Sequence, residues 1–165
     1  IPHVLDKKNV DMLVGHKVFT EAELKSRCEI QLENYCKTVV IEANTMVSMA
    51  KTLIAPAVEA YAADVAKAVA AKRLVDANLP CKYESKLIKN LSTLTDRIAG
   101  NIEELEIALQ ELHEAKDVGD EANAIRDNVL EKMNALRIAC DEAELLTAKK
   151  YWPFPTYSDL LFGVK

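Results

Sequence analysis

From Leu24 to Val65 the chain sets an apolar or small residue at every third or fourth position: Leu24, Cys28, Leu32, Tyr35, Val39, Ala43, Met46, Ala50, Leu53, Ala57, Tyr61 and Val65. A strand alternates at every second residue, whereas this spacing draws one stripe along an α-helix. A stripe this long demands a long helix and other long surfaces to cover it. Pro56 falls inside it, where it removes a backbone donor and crowds the preceding turn. The stripe keeps its phase across the proline, so the spacing predicts one kinked rod over about 20–77 rather than two abutting helices. Thr20-Glu21-Ala22-Glu23 is a capping box for its start, and Phe19 with Leu24 suits the accompanying hydrophobic staple. Asn78-Leu79-Pro80 ends it.

Two further stripes follow. Leu87, Leu91, Leu94, Ile98, Ile102, Leu105, Leu109 and Leu112 predict a helix over about 84–117. Ala122, Ile125, Val129, Met133, Leu136, Cys140 and Ala143 predict another over about 120–150, after a break at Asp117-Val118-Gly119-Asp120. Each contains one pair of consecutive fours, which in a coiled coil is a stutter that relaxes the supercoil. Two stutters joined by a short link predict an antiparallel hairpin with its irregularities face to face. At ~1.5 Å per residue each arm is about 45 Å long. Gly100, inside the second helix, fits a position on the side away from the core, at a cost of about 1 kcal/mol relative to alanine. The alanines after Pro56 allow a partner helix to approach closely.

The expected fold is therefore all-α: a bundle of long antiparallel helices over 20–150, preceded by a connector over 1–19 and followed by an irregular segment over 151–165. In the connector, Val10–Val14 predicts a turn of helix that Gly15 ends. Four glycines and five prolines among 165 residues agree with a helical chain. A formal charge of −5 and a pI near 5.3 argue against non-specific binding to nucleic acid or an anionic membrane. The basic pairs Lys7-Lys8, Lys72-Arg73 and Lys149-Lys150 read as solvated faces, the last complementing a helix dipole. The most apolar stretch, Ile54 to Ala71, carries Glu59, Asp64 and Lys67, so no segment is expected to span a bilayer. Cys28, Cys36, Cys81 and Cys140 contain no CxxC pair and point to reduced thiols in the cytoplasm, with Cys28 and Cys140 acting as small buried hydrophobes. A start at Ile1 fits a processed protein or a piece of a larger one.

The final fifteen residues hold five of the nine aromatic side chains: Tyr151, Trp152, Phe154, Tyr157 and Phe162. Pro153 and Pro155 bar a regular helix there. So dense an apolar segment is a liability in water, and these five residues are the candidate docking side chains, on this chain's helices or on a neighbouring surface.

Chemistry is sparse elsewhere. The glycines lie too far apart for a phosphate-binding loop. His113 lacks both the Glu-x-x-His pairing of di-iron bundles and the second histidine of a zinc-protease helix. Glu103, Glu104, Glu106, Glu111 and Glu114 scatter around a polar helix face rather than converging as an acid/base pair. Met46 and Met49 read as core filling in preference to an adaptable groove. No catalytic, cofactor-binding or metal-ligating residue is expected.

Three stretches carry a family resemblance. They are Val18-Phe19-Thr20-Glu21-Ala22-Glu23-Leu24-Lys25-Ser26-Arg27 with Glu29-Ile30 and Leu32-Glu33-Asn34-Tyr35; Ile41-Glu42-Ala43-Asn44-Thr45-Met46 with Met49-Ala50-Lys51 and Pro56-Ala57; and Lys150-Tyr151-Trp152-Pro153-Phe154-Pro155-Thr156-Tyr157-Ser158-Asp159-Leu160-Leu161-Phe162. Together with Ile125–Leu130 and Met133–Arg137, they resemble the C-terminal region of type III glutamine synthetases. Cys28 stands where that family commonly has an aromatic in its Ser-Arg-x-Glu motif, a departure that bears on local packing.

The resemblance implies a parent enzyme that joins ammonia to glutamate at the expense of ATP, through a γ-glutamyl phosphate. It also implies magnesium or manganese and a large ring-built homo-oligomer. The family's metal ligands and its nucleotide and glutamate sites belong to catalytic domains that this sequence does not contain. The expectation is a structural and assembly region, inactive alone, that contacts the rest of its enzyme, neighbouring subunits or a regulator. The alternative is a free-standing helical adaptor that binds a partner helix in a groove.

Overall fold

The computed structural model describes residues 2–163, apart from the side chains of Pro2 and Tyr157. It is helical, with no strand among the described residues. After a 3-10 turn at Pro2–Leu5 come α1 (Lys7–Gly15) and a first rod built from α2 (Glu21–Met49), a π-turn (Ala50–Ile54) and α3 (Ala55–Val75). The second rod is α4 (Lys82–Glu111), closed by a 3-10 turn at Leu112–Glu114. The third joins α5 (Val118–Ala124), a π-turn (Ile125–Val129) and α6 (Leu130–Leu146), and a short α7 (Tyr157–Leu161) follows. The all-α architecture of long helices matches the sequence expectation, and Glu21 to Val75 is one unbroken rod.

The phase of that rod is not what the spacing predicts. Ala55 donates to the carbonyl of Ala50, five residues back, so the turn just before Pro56 is wide. Pro56 has no amide to give Thr52, and its ring crowds that carbonyl in a regular α-turn. A π-turn holds one residue more than an α-turn. Every side chain beyond it is therefore displaced by one position. Ile54, Val58 and Ala62 are buried, whereas Leu53 is 42% exposed and Ala57, Tyr61 and Val65 are half-buried.

A π-turn also absorbs the double four of the third stripe. Leu130 donates to the carbonyl of Ile125, and both Ile125 and Val129 are fully buried. In α4 the consecutive fours from Leu94 to Ile102 need no such device. Three turns of an ordinary α-helix take about 11 residues, the distance from Leu91 to Ile102. Near its end Ala108 takes the buried position and Leu109 is half-buried.

The chain divides into two compact units. One comprises Ile1–Asn44 with Ile107–Glu131, and the other Thr45–Glu106 with Lys132–Lys165. In the first, Leu24, Cys28, Cys36, Val39, Ala43, Leu112, Ile125 and Val129 are buried. The Cys36 thiol lies 4.0 Å from the Val118 carbonyl, and Asn128 Nδ2 is 3.3 Å from Glu111.

In the second unit the antiparallel order is written in polar pairs. Lys51 meets Glu106 at 2.6 Å, while Lys72 meets Glu84. Arg97 grips Glu142 through two 2.9 Å bonds, Asn101 donates to the Ala135 carbonyl at 3.1 Å, and Lys132 meets Glu104 at 2.8 Å. Exposed pairs of this kind contribute little stability individually; they mark register. Within this unit the double four of α4 lies level with residues 135–142.

Local signals of the first rod hold. The Thr20 amide donates to Glu23 Oε2 at 2.7 Å and the Glu23 amide to Thr20 Oγ1 at 3.2 Å, the reciprocal bonds of a capping box. Phe19 is half-buried, with the Arg27 guanidinium 4.8 Å from its ring centre. At the end of α1, however, the left-handed residue is Lys17 (φ 56°), two positions beyond Gly15. The thiols of Cys28, Cys36, Cys81 and Cys140 are free and buried, and desolvation pushes Cys140 up to about 11.

Ile98 is fully buried in α4, so Ile98→Ala should cost about 2–5 kcal/mol of unfolding free energy. Two residues on, a β-carbon built on Gly100 meets nothing within 4 Å. Gly100→Ala should therefore gain up to about 1 kcal/mol. Urea unfolding of both variants measures the two effects against each other.

Candidate functional site: the aromatic segment and its seat

α6 hands over to the aromatic segment through a tight turn. The buried Thr147 hydroxyl donates back to the Ala143 carbonyl at 2.7 Å. The amides of Tyr151 and Trp152 then return to the carbonyls of Ala148 and Lys149 at 2.9 and 3.2 Å. Lys149 and Lys150 therefore sit beyond the helix, not in its last turn. The prolines on either side of Phe154 keep the next residues out of helix.

Tyr151 meets α3. Its ring lies 5.1 Å from that of Tyr61, tilted by 41°, and its hydroxyl donates to Asp64. Asp64 also receives Lys67 at 3.2 Å. These donors, Tyr151 first, hold its carboxyl below the ordinary aspartate range. The Lys150 ammonium lies 4.5 Å over the Tyr151 ring, within cation–π reach. Trp152 and Phe154, both half-buried, meet edge to face at 6.1 Å and 72°.

The segment then turns helical, which the proline-based reading of it as irregular missed. Thr156 caps α7 through a second capping box. Its amide donates to Asp159 Oδ2 at 2.9 Å, and the Asp159 amide returns to Thr156 Oγ1 at 3.3 Å. Lys149 reaches the other oxygen of Asp159 at 2.6 Å. Lys149 above all, then the Thr156 hydroxyl and amide, pull Asp159 down to about 2. Leu160, Leu161 and Phe162 are exposed. Of the five candidate aromatics, Tyr151 thus touches α3, Trp152 and Phe154 touch each other, and Phe162 faces solvent. The Tyr157 side chain lies outside the described residues.

Tyr61 and Asp64 are the seat that the sequence did not single out. Their spacing of three places them on one helix face, but nothing local names Tyr151 as their partner. The Thr156-x-x-Asp159 pattern was the available signal for α7.

The other candidates do not converge. His113 is exposed in the turn after α4. Glu104 and Glu106 are engaged by Lys132 and Lys51, and Glu111 by Asn128. Met46 is half-buried and Met49 is 37% exposed, which corrects their assignment to the core: Val47 and Ala50 occupy the buried positions. One hollow of about 560 Å³, lined by His3, Leu32, Tyr35, Gly119, Ala122, Asn123 and Arg126, places its guanidinium on Asp127 at 2.7 and 2.8 Å.

Comparison with known proteins gives these features a context. A family model described as the glutamine synthetase C-terminal domain matches residues 1–73, which end within two residues of the end of α3. A glutamine synthetase of Butyrivibrio fibrisolvens is 30% identical over 166 residues, covering 100% of this chain and 24% of the relative. Along its whole length the chain is similar to the C-terminal part of glutamine synthetases. A type-3 glutamine synthetase of Dictyostelium discoideum is 27% identical across 98% of the chain, and a glutamine synthetase of Bacteroides fragilis is 25% identical across 97%. The chain spans only about a quarter of the length of these relatives: 24%, 23% and 22%.

The residues present do not fit the nucleotide or divalent cations that the resemblance implies for the parent enzyme. Among the described residues no three His, Cys, Asp or Glu side chains are grouped to hold a metal ion, and no two glycines lie close enough in sequence for a phosphate-binding loop.

Because the Asp159 pKa is depressed in the folded state, its contribution is complete above the unfolded value of about 3.9. It is lost as the pH falls from there through about 2. A carboxyl-detected NMR titration should place its midpoint near 2, and Lys149→Met should raise that midpoint.

Proposed function

We propose that this chain is the structural and assembly region of a glutamine synthetase and catalyses nothing by itself. The parent reaction is ATP + glutamate + ammonia to glutamine + ADP + phosphate, with magnesium or manganese at the catalytic domains. Its partners are the rest of its own subunit and neighbouring subunits of a ring-built homo-oligomer in the cytoplasm. The observation that carries this reading is that the whole chain matches about a quarter of the length of a glutamine synthetase, 24% of it. Support comes from the long helices, whose polar groups are spent on register. No helix of the described residues is long and apolar enough to cross a membrane.

Within this reading, Tyr151, Trp152, Phe154, Tyr157 and Phe162 are the docking residues. Tyr151 anchors the segment to α3, while Leu160, Leu161 and Phe162 are left for the remainder of the enzyme. An exposed Phe162 beside Leu160 and Leu161 supports that division.

An ATP-dependent glutamine synthesis assay on the 165-residue chain should show no turnover, and measurable turnover would refute the proposal. Burying a large aromatic is worth roughly 1.5–3 kcal/mol, and Trp152 is half-buried. Trp152→Ala should therefore cost about 1 kcal/mol, a drop of about 2–4 °C in Tm, or weaken assembly of the full-length enzyme. Unchanged melting and unchanged oligomer mass would remove Trp152 from the docking set.

A further inference from the structure

Four large apolar side chains gather at the turn from α3 into α4. Leu74 and Val75 are 89% and 84% exposed, Tyr83 is 74% exposed and Leu79 38%. The turn that presents them is held in place. The Asn78 amide donates to Asp76 Oδ1 at 2.9 Å and the Leu79 amide to the Asp76 carbonyl at 3.1 Å. Lys72 and Glu84 clasp the two helices below, and Cys81 is buried between them in sequence. A surface fixed before it meets a partner loses little entropy on binding.

Its charge is also unlike that of the whole. The chain carries −5, yet Arg73, Lys82 and Lys86 flank the apolar residues in sequence and have no ion-pair partner among the described residues. Over residues 72–86 Lys72, Arg73, Lys82 and Lys86 outnumber Asp76 and Glu84 by two, an excess that fits an apolar hollow edged with carboxylates.

We propose that this hairpin tip is a docking surface for the catalytic portion of the glutamine synthetase, which meets Leu74, Val75, Leu79 and Tyr83 with an apolar, acid-rimmed face. The inference rests on the assignment of this chain to a longer subunit. The length of the relatives argues for that occupant, since they hold about three-quarters of their length outside the region compared here. It assigns the tip, in addition to the aromatic segment, to the contact between this region and the rest of the enzyme.

The test is hydrogen exchange on the full-length subunit and on the 165-residue chain, read over residues 72–83. The expected result is at least tenfold slower exchange in the full-length protein. Leu74→Asp with Val75→Asp should restore the fast rate there, and Arg73→Glu should weaken the protection in a salt-dependent way. Equal rates in the two proteins would overturn the proposal. So would slowing that appears in the 165-residue chain alone, whether with rising concentration (a second copy) or on adding phosphatidylserine vesicles (a lipid surface). An inactive full-length protein would instead sink the glutamine synthetase assignment, and exchange at the tip would still decide whether the remainder of the subunit covers it.

Discussion

The dependence of this structure on one constraint is plain: an apolar stripe must stay on the covered side of a helix that runs unbroken from Glu21 to Val75. An α-helix advances 3.6 residues per turn, so a stripe spaced at threes and fours drifts unless its fours are balanced. The first rod settles the drift with a π-turn at Ala50–Ile54 and the third with one at Ile125–Val129. Each inserts one residue where the core can take it. At the first, the insertion also relieves Pro56, because the wide turn moves the ladder away from a residue that cannot donate. A proline that ordinarily costs a helix dearly thus coincides with the correction that the packing needs.

Polar groups act around this core as markers rather than as its source of cohesion. Lys51–Glu106, Lys72–Glu84, Arg97–Glu142 and Lys132–Glu104 tie one rod to the next at fixed heights. Two of them engage Glu104 and Glu106 of the carboxylate run. The aromatic segment follows the same logic on a smaller scale. A tyrosine pair and an Asp64 acceptor hold its beginning, Lys149 and Thr156 hold Asp159, and the apolar end stays outward.

Much of the fold was legible because its signals are local. Thr20 and Glu23 lie one turn apart and find each other in any helix that starts there. The same holds for Thr156 and Asp159, although the prolines beside them drew the eye to irregularity. Tyr61, by contrast, falls on the predicted stripe and was assigned to the core. It became the seat of Tyr151 because the π-turn ahead of it rotated Val58 and Ala62 inward in its place. Met49 and Leu53 moved outward for related reasons of phase.

The sequence by itself determined the helices, their approximate ends and the resemblance to glutamine synthetases. Periodicity, caps and motifs act over a few residues, where chain connectivity already enforces proximity. Only the tertiary structure decided where an extra residue enters each rod and which side chain meets Tyr151. It alone decided which leucines and valines remain in water. Those outcomes depend on residues far apart in the chain competing for the same desolvated space, and no local pattern records which of them prevails.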